Sequence, residues 1–208
     1  SVRQLFAHPT VASLAHAVRE EDGPADIPAG SGGLTPLQAE LLEPCSGPLP
    51  AAVRGVHQSV LLDLPASTTP DSIIAALNRV LAHHDALRLC VRHGEDGWRQ
   101  EVEPEPPVVE QREVADDAAI IAACHQLQQE LDPSGGRMMR AVLFTVAQHP
   151  PRLLLLAHHL VVDGVSWRIL LDDLALLCTT PDAELAPVTR SMRLRSYCSR
   201  HCWRHSPR

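Results

Sequence analysis

Aromatic side chains are nearly missing from this chain. They make up 3% of its 208 residues, so a core has to be built from Leu, Val, Ile and Ala. Long hydrophobic runs are missing too: none approaches the roughly 20 residues a membrane-spanning helix needs, and the run at 153–157 is of buried-strand length. The N-terminus lacks a basic segment followed by an apolar stretch, the pattern of a secretory signal, so a cytoplasmic location is expected, with no membrane partner. Positive charge is not in excess. The balance of 18 Lys+Arg against 25 Asp+Glu leaves a formal charge of −7, which argues against a nucleic-acid binder. The six cysteines show no repeated spacing and read as reduced, partly buried thiols. Only Cys198, His201, Cys202 and His205 cluster. Four such side chains could suggest zinc, but the segment has no turn glycine and few apolar residues to hold a site, so no metal is expected.

What is present is ordinary for a globular protein, with 45% hydrophobic and 21% charged residues, in a length that fits one sizeable domain or a domain plus a fragment. Residues 1–21 read as two short amphipathic helical pieces broken at Pro9-Thr10, too small to bury a core, and look like the end of another domain. Residues 22–33 are rich in Gly, Pro, Ala and Ser and read as a linker. From 34 to 178 strand and helix periods alternate. A strand is expected at 55–64, with Val56, Val60 and Leu62 on one parity. Thr69-Pro70 then caps a helix carrying Ile73, Leu77, Val80 and Leu81. Short strands are expected at 87–92 and 98–102, and Asp116 opens a second helix with Ile120, Cys124, Leu127 and Leu131. Strands at 139–147 and 152–158 flank His149-Pro150-Pro151, and a third helix runs over 165–177. The sum is an α/β sandwich with helices packed on a mixed sheet. Residues 179–187 are loop-like. Residues 188–208 are basic and without apolar period, and are expected to form an irregular tail such as a shifted reading frame would produce.

Chemistry concentrates at 153–171. The run 153–157 is apolar on both parities, as in a strand buried on both faces. It ends in His158-His159, followed by Leu160-Val161-Val162-Asp163-Gly164 and the third helix. A histidine at the end of a buried strand can be held in one orientation and used as a base near neutral pH. The same residues also suit a pair of satisfied core histidines and a helix-capping aspartate, and composition alone leaves both readings open.

The pattern HHxxxDG resembles the signature of the condensation-domain superfamily of nonribosomal peptide synthetases and of chloramphenicol-acetyltransferase-like acyltransferases. Val165-Ser166-Trp167-Arg168 resembles the epimerisation branch. Leu34-Thr35-Pro36-Leu37-Gln38 is similar to the family's opening motif, and His83-His84-Asp85-Ala86-Leu87-Arg88 to its second, in the epimerisation form. Residues 5–14 resemble the last helices of a peptidyl carrier domain, whose attachment serine would lie upstream of this chain. The resemblance implies a chloramphenicol-acetyltransferase-like two-layer sandwich, with 34–178 as its N-terminal lobe only.

It also implies a substrate: an aminoacyl or peptidyl thioester delivered on the phosphopantetheine of a carrier domain, with no cofactor bound directly. His159 matches the catalytic histidine, and His158 a neighbour that shapes the pocket. Asp163, Gly164 and Arg88 would be structural at the site, with Asp163 expected to pair with Arg88. Ser166 and Trp167 are candidates for the substrate side. The expected function is inversion of the α-carbon by acid/base catalysis. A condensation-type lobe forming an amide, or a non-catalytic carrier-binding remnant, are the alternatives. The second lobe and the opposite-face glutamate of epimerisation domains have no counterpart here. The face that would meet that lobe is expected to be apolar, and the chain alone poorly active.

Overall fold

The computed structural model of the chain describes residues 7–8, 10–13, 34–45 and 47–187. Most of the carrier-like segment, the linker and the Cys/His cluster at 198–205 lie outside the described residues.

Thr35 and Gln38 form a reciprocal capping box, and Pro36 occupies the first turn of α1 (Pro36–Leu42). A one-turn α2 (Ala51–Arg54) leads into β1 (His57–Asp63). Thr69 caps α3 (Pro70–His83) as its sequence suggests. A 3₁₀ turn (Asp85–Arg88) follows, then β2 (Leu89–Gly94) and β3 (Gly97–Val102). Leu87 and Arg88, expected in the strand, therefore sit in the turn before it, closed by Leu87 N–H on the His84 carbonyl at 3.1 Å. β2 and β3 make a separate two-stranded ribbon, whose turn needs Gly97 at φ +91°. Trp98 ties the ribbon down, its indole N–H donating to the Cys45 carbonyl at 2.8 Å.

The remaining elements are β4 (Val109–Val114), α4 (Asp117–Gln129), β5 (Met139–Val146), β6 (Arg152–His158) and α5 (Gly164–Thr179). The main sheet runs β1-β6-β5-β4 and is mixed: β4 pairs parallel to β5, the other pairs antiparallel. No alternating signal marks β4, because Glu110, Gln111, Arg112 and Glu113 are all polar. It is an edge strand, held by Glu110, which pairs with Arg112 on β4 and with Arg140 on β5.

The expectation of two layers needs correction. Ala141, Leu143, Leu153, Leu155 and Ala157 face one core with α3 and α5, while Val142, Phe144, Leu154 and Leu156 face a second core with Ile120 and Leu127 of α4. Helices thus cover both faces, which is what a strand apolar on both parities requires. The packed chain also runs past residue 178, where the tail was expected to begin. Residues 181–186 lie across α3: Arg79 donates to the carbonyls of Pro181 and Ala183, and the His83 Nε2 lies 2.9 Å from the Ala186 carbonyl. Among the described residues no helix is long and apolar enough to cross a membrane.

Candidate functional site

β6 is central in the sheet and delivers both histidines to one end of it. The last rung pairs His158 with His57, and the His159 N–H carries the ladder one step further, donating to the Val56 carbonyl at 2.9 Å. From there the two side chains go to opposite environments.

His158 is fully buried. Its Nδ1 accepts from the Leu160 N–H at 3.1 Å, so the ring proton sits on Nε2, 2.8 Å from the Val53 carbonyl that accepts it. Loss of hydration pushes its pKa down. The Val53 carbonyl pulls the other way, and His57 and His159 add to the depression. Both nitrogens are committed, which makes His158 a neutral structural strut.

His159 is exposed. Its Nδ1 lies 2.8 Å from the Val162 carbonyl, which can only accept, so Nδ1 carries a proton. Gln58 on β1 approaches Nε2 with its amide nitrogen at 3.3 Å. The Gln58 amide oxygen in turn accepts from the Trp167 indole N–H at 2.9 Å.

The loop between the histidines and α5 is held at both ends. Gln38, buried, donates to the Leu160 carbonyl at 3.2 Å while its oxygen accepts from the Thr35 N–H at 2.8 Å. Asp163 is the N-cap of α5 and accepts from the Ser166 N–H and hydroxyl, each at 2.7 Å. Gly164 opens the helix without a positive φ, and a Cβ there would meet nothing within 4 Å. Neither conformation nor space within this lobe demands glycine at that position.

Several expected roles change with this geometry. Arg88 does not pair with Asp163. Its guanidinium donates to the main-chain carbonyls of Pro104 (3.1 Å) and Glu103 (3.4 Å), so it anchors the exit of β3. Asp163 instead uses its carboxylate at the helix start. Trp167 is a buried core residue that reaches His159 through Gln58, and the Ser166 hydroxyl is engaged by Asp163. The second motif supports the site through the helix. The His84 Nε2 lies 2.7 Å from an Asp173 carboxylate oxygen, joining the end of α3 to α5.

Sequence reasoning passed over Gln58 and gave Gln38 no role of its own. Gln58 shares the parity of Val56, Val60 and Leu62, and a polar residue on an apolar parity is the signal that could have found it. Among the described residues no group of three or more His, Cys, Asp or Glu could hold a metal ion.

A sheet strand that ends in one buried strut histidine and one exposed histidine, followed by a capped helix, fits the condensation-type lobe that the sequence motifs resemble. The solved epimerization domain from the third module of tyrocidine synthetase B superposes with a TM-score of 0.68 at 24% identity, covering 82% of this chain and 40% of that one. The X-domain solved in complex with OxyB from teicoplanin biosynthesis superposes with a TM-score of 0.72 at 21% identity, covering 86% and 40%.

Residues 50–201 match the model of the condensation domain, and the chain belongs to that family. It is 34% identical to one of the linear gramicidin synthase subunits of Brevibacillus parabrevis over 83% of its length, and 33% identical to surfactin synthase subunit 1 of Bacillus subtilis over 90%. The aligned regions are 4% and 5% of those two proteins, so the chain corresponds to a small part of each. The family match also includes most of the segment after residue 178.

Proposed function

We propose that this chain is the first lobe, from residue 34 onward, of an epimerisation domain of a nonribosomal peptide synthetase, and that His159 is its acid/base. The observation that carries the reading is the exposed His159 at the end of a buried strand, its Nδ1 against the Val162 carbonyl and its Nε2 turned to the Gln58 amide, while its neighbour has no free nitrogen. The substrate is an aminoacyl or peptidyl thioester on a carrier domain's phosphopantetheine. Its α-proton is acidic because the resulting carbanion delocalises into the thioester carbonyl as an enolate. Nε2 takes that proton and becomes the positive end of an imidazolium. A second acid on the opposite face returns a proton to the α-carbon, and the centre is inverted. Val165 and Ile169, exposed on the first turns of α5, fit a face that a second lobe covers. Residues 1–21 fit the end of the carrier domain that precedes it.

The family match favours a second reading, in which the same base assists attack of an amine on the thioester. Deuterium uptake separates the two. The chain is supplied with an aminoacyl thioester on a phosphopantetheinylated carrier domain in deuterated water, and the α-position is followed by mass spectrometry. Washout that disappears in His159→Ala is the expected result. Amide formation with an added acceptor amine and no washout would move the assignment to condensation, and neither reaction would leave a carrier-binding remnant.

A further inference from the structure

His159 has two nitrogens, and which of them is the base depends on what faces each. The Val162 carbonyl accepts a hydrogen bond from Nδ1–H, but one hydrogen bond at a loop does not by itself keep the other nitrogen bare. Gln58 supplies the second constraint, and its own orientation is not free. An amide side chain can present either an oxygen or an NH₂. The Trp167 indole N–H is a donor only, so it must face the Gln58 oxygen, at 2.9 Å. That turns the NH₂ towards Nε2 of His159, at 3.3 Å. An NH₂ can only donate, and only an unprotonated Nε2 can receive it.

We infer that Gln58 is a positioning residue for His159, and that Trp167 orients it, so that the polarity of one indole N–H sets the tautomer of the catalytic imidazole. The chain of donors runs in one direction from the core to the site: indole N–H to amide oxygen, amide N–H to Nε2, Nδ1–H to the Val162 carbonyl. The two orienting side chains sit on regular elements. Gln58 lies on β1 one residue from His57, paired with Ala157 of β6, and Trp167 is buried on α5. Among the described residues, His57 lies against the Gly55 carbonyl, His158 against the Val53 carbonyl, and Asp163 caps the start of α5. The Gln58 N–H also marks where the α-hydrogen must arrive, since a substrate proton reaches the same lone pair that the amide now occupies.

The inference rests on the assignment of His159 as acid/base only for its consequence in catalysis; the tautomer can be read without any reaction. Long-range ¹H–¹⁵N spectra of the chain labelled in histidine, with the His159 signals identified by their loss in His159→Gln, report which nitrogen carries the proton. The expected neutral form has the proton on Nδ1, whereas His158 shows the opposite tautomer and serves as a folding control.

Gln58→Glu replaces the donor with a carboxylate that accepts from both Trp167 and His159. An anion beside Nε2 favours imidazolium, so the His159 titration midpoint should rise by about one pH unit or more. The pH at which α-proton exchange becomes half-maximal should rise with it. Gln58→Leu should slow exchange roughly five- to tenfold at unchanged KM, through loss of one orienting hydrogen bond. A neutral wild-type ring protonated on Nε2, or a midpoint unmoved in Gln58→Glu with the His158 signals intact, overturns the inference. The expected tautomer and midpoint shift with no exchange in any variant would uphold Gln58 and remove the epimerase assignment.

Discussion

Two adjacent histidines at the end of β6 face two different regions of the molecule. The inner region, around His158, is buried and fully committed, with main-chain groups of Val53 and Leu160 holding the two ring nitrogens. The outer region, around His159, is open, and one ring nitrogen faces an amide that another donor could displace. The difference teaches that the sequence pair His-His is a division of labour. One ring builds the wall from which the other works. Replacement should therefore cost different things on the two sides. His158→Ala leaves a buried carbonyl and a buried N–H without partners and opens a cavity, so a loss of about 3–5 kcal/mol is expected in urea unfolding. His159→Ala should cost under about 1 kcal/mol, as for an exposed side chain. Equal losses from the two variants would break the comparison.

Acid should sharpen it. Burial holds the folded pKa of His158 below its ordinary value, whereas the unfolded chain titrates near ~6.5. The sign follows from proton uptake: between the two values the unfolded state binds a proton that the folded state refuses. Stability is then fully present above ~6.5 and falls as pH drops towards the folded value, by at most ~1.4 kcal/mol per pH unit. His158→Gln removes this contribution. Its unfolding midpoint should change less between pH 7.5 and 5.5 than that of the wild type, and identical slopes would show that the inner region does not resist protonation.

The division was only half legible in the sequence. That residues 153–157 form a strand buried on both faces follows from two apolar parities, and the helix faces of α3 and α5 follow from their spacing. The same two parities imply helices on both sides of the sheet, although the family resemblance suggested two layers. β4 was not legible, because an edge strand exposed to water can be polar throughout, as Val109–Val114 nearly is. Which ring nitrogens the main chain engages was not legible from the residues themselves either. The decision is made by carbonyls of Val53 and Val162 and by the N–H of Leu160, main-chain groups whose positions no side-chain pattern encodes. Arg88 illustrates the same limit. A guanidinium and a carboxylate in neighbouring motifs suggest an ion pair, yet the guanidinium donates to carbonyls at the end of β3.

Asp163 tests the boundary between the two regions with the smallest effect. It sits at the outer end of the loop, exposed, and accepts from both the N–H and the hydroxyl of Ser166. If its work is to cap α5, the oxygen matters more than the charge, since asparagine caps helices as well as aspartate does. Asp163→Ala should then cost about 1 kcal/mol, and Asp163→Asn only a few tenths, measured by urea unfolding. A carboxylate anchoring a buried cation behaves differently, because neutralising it strands the partner's charge at a cost of roughly 3–5 kcal/mol. A loss of that size in Asp163→Asn would draw Asp163 into the inner, committed region. A loss confined to the alanine variant would keep it in the outer one, where it fixes the start of the helix that carries Trp167 and through it the orientation of Gln58.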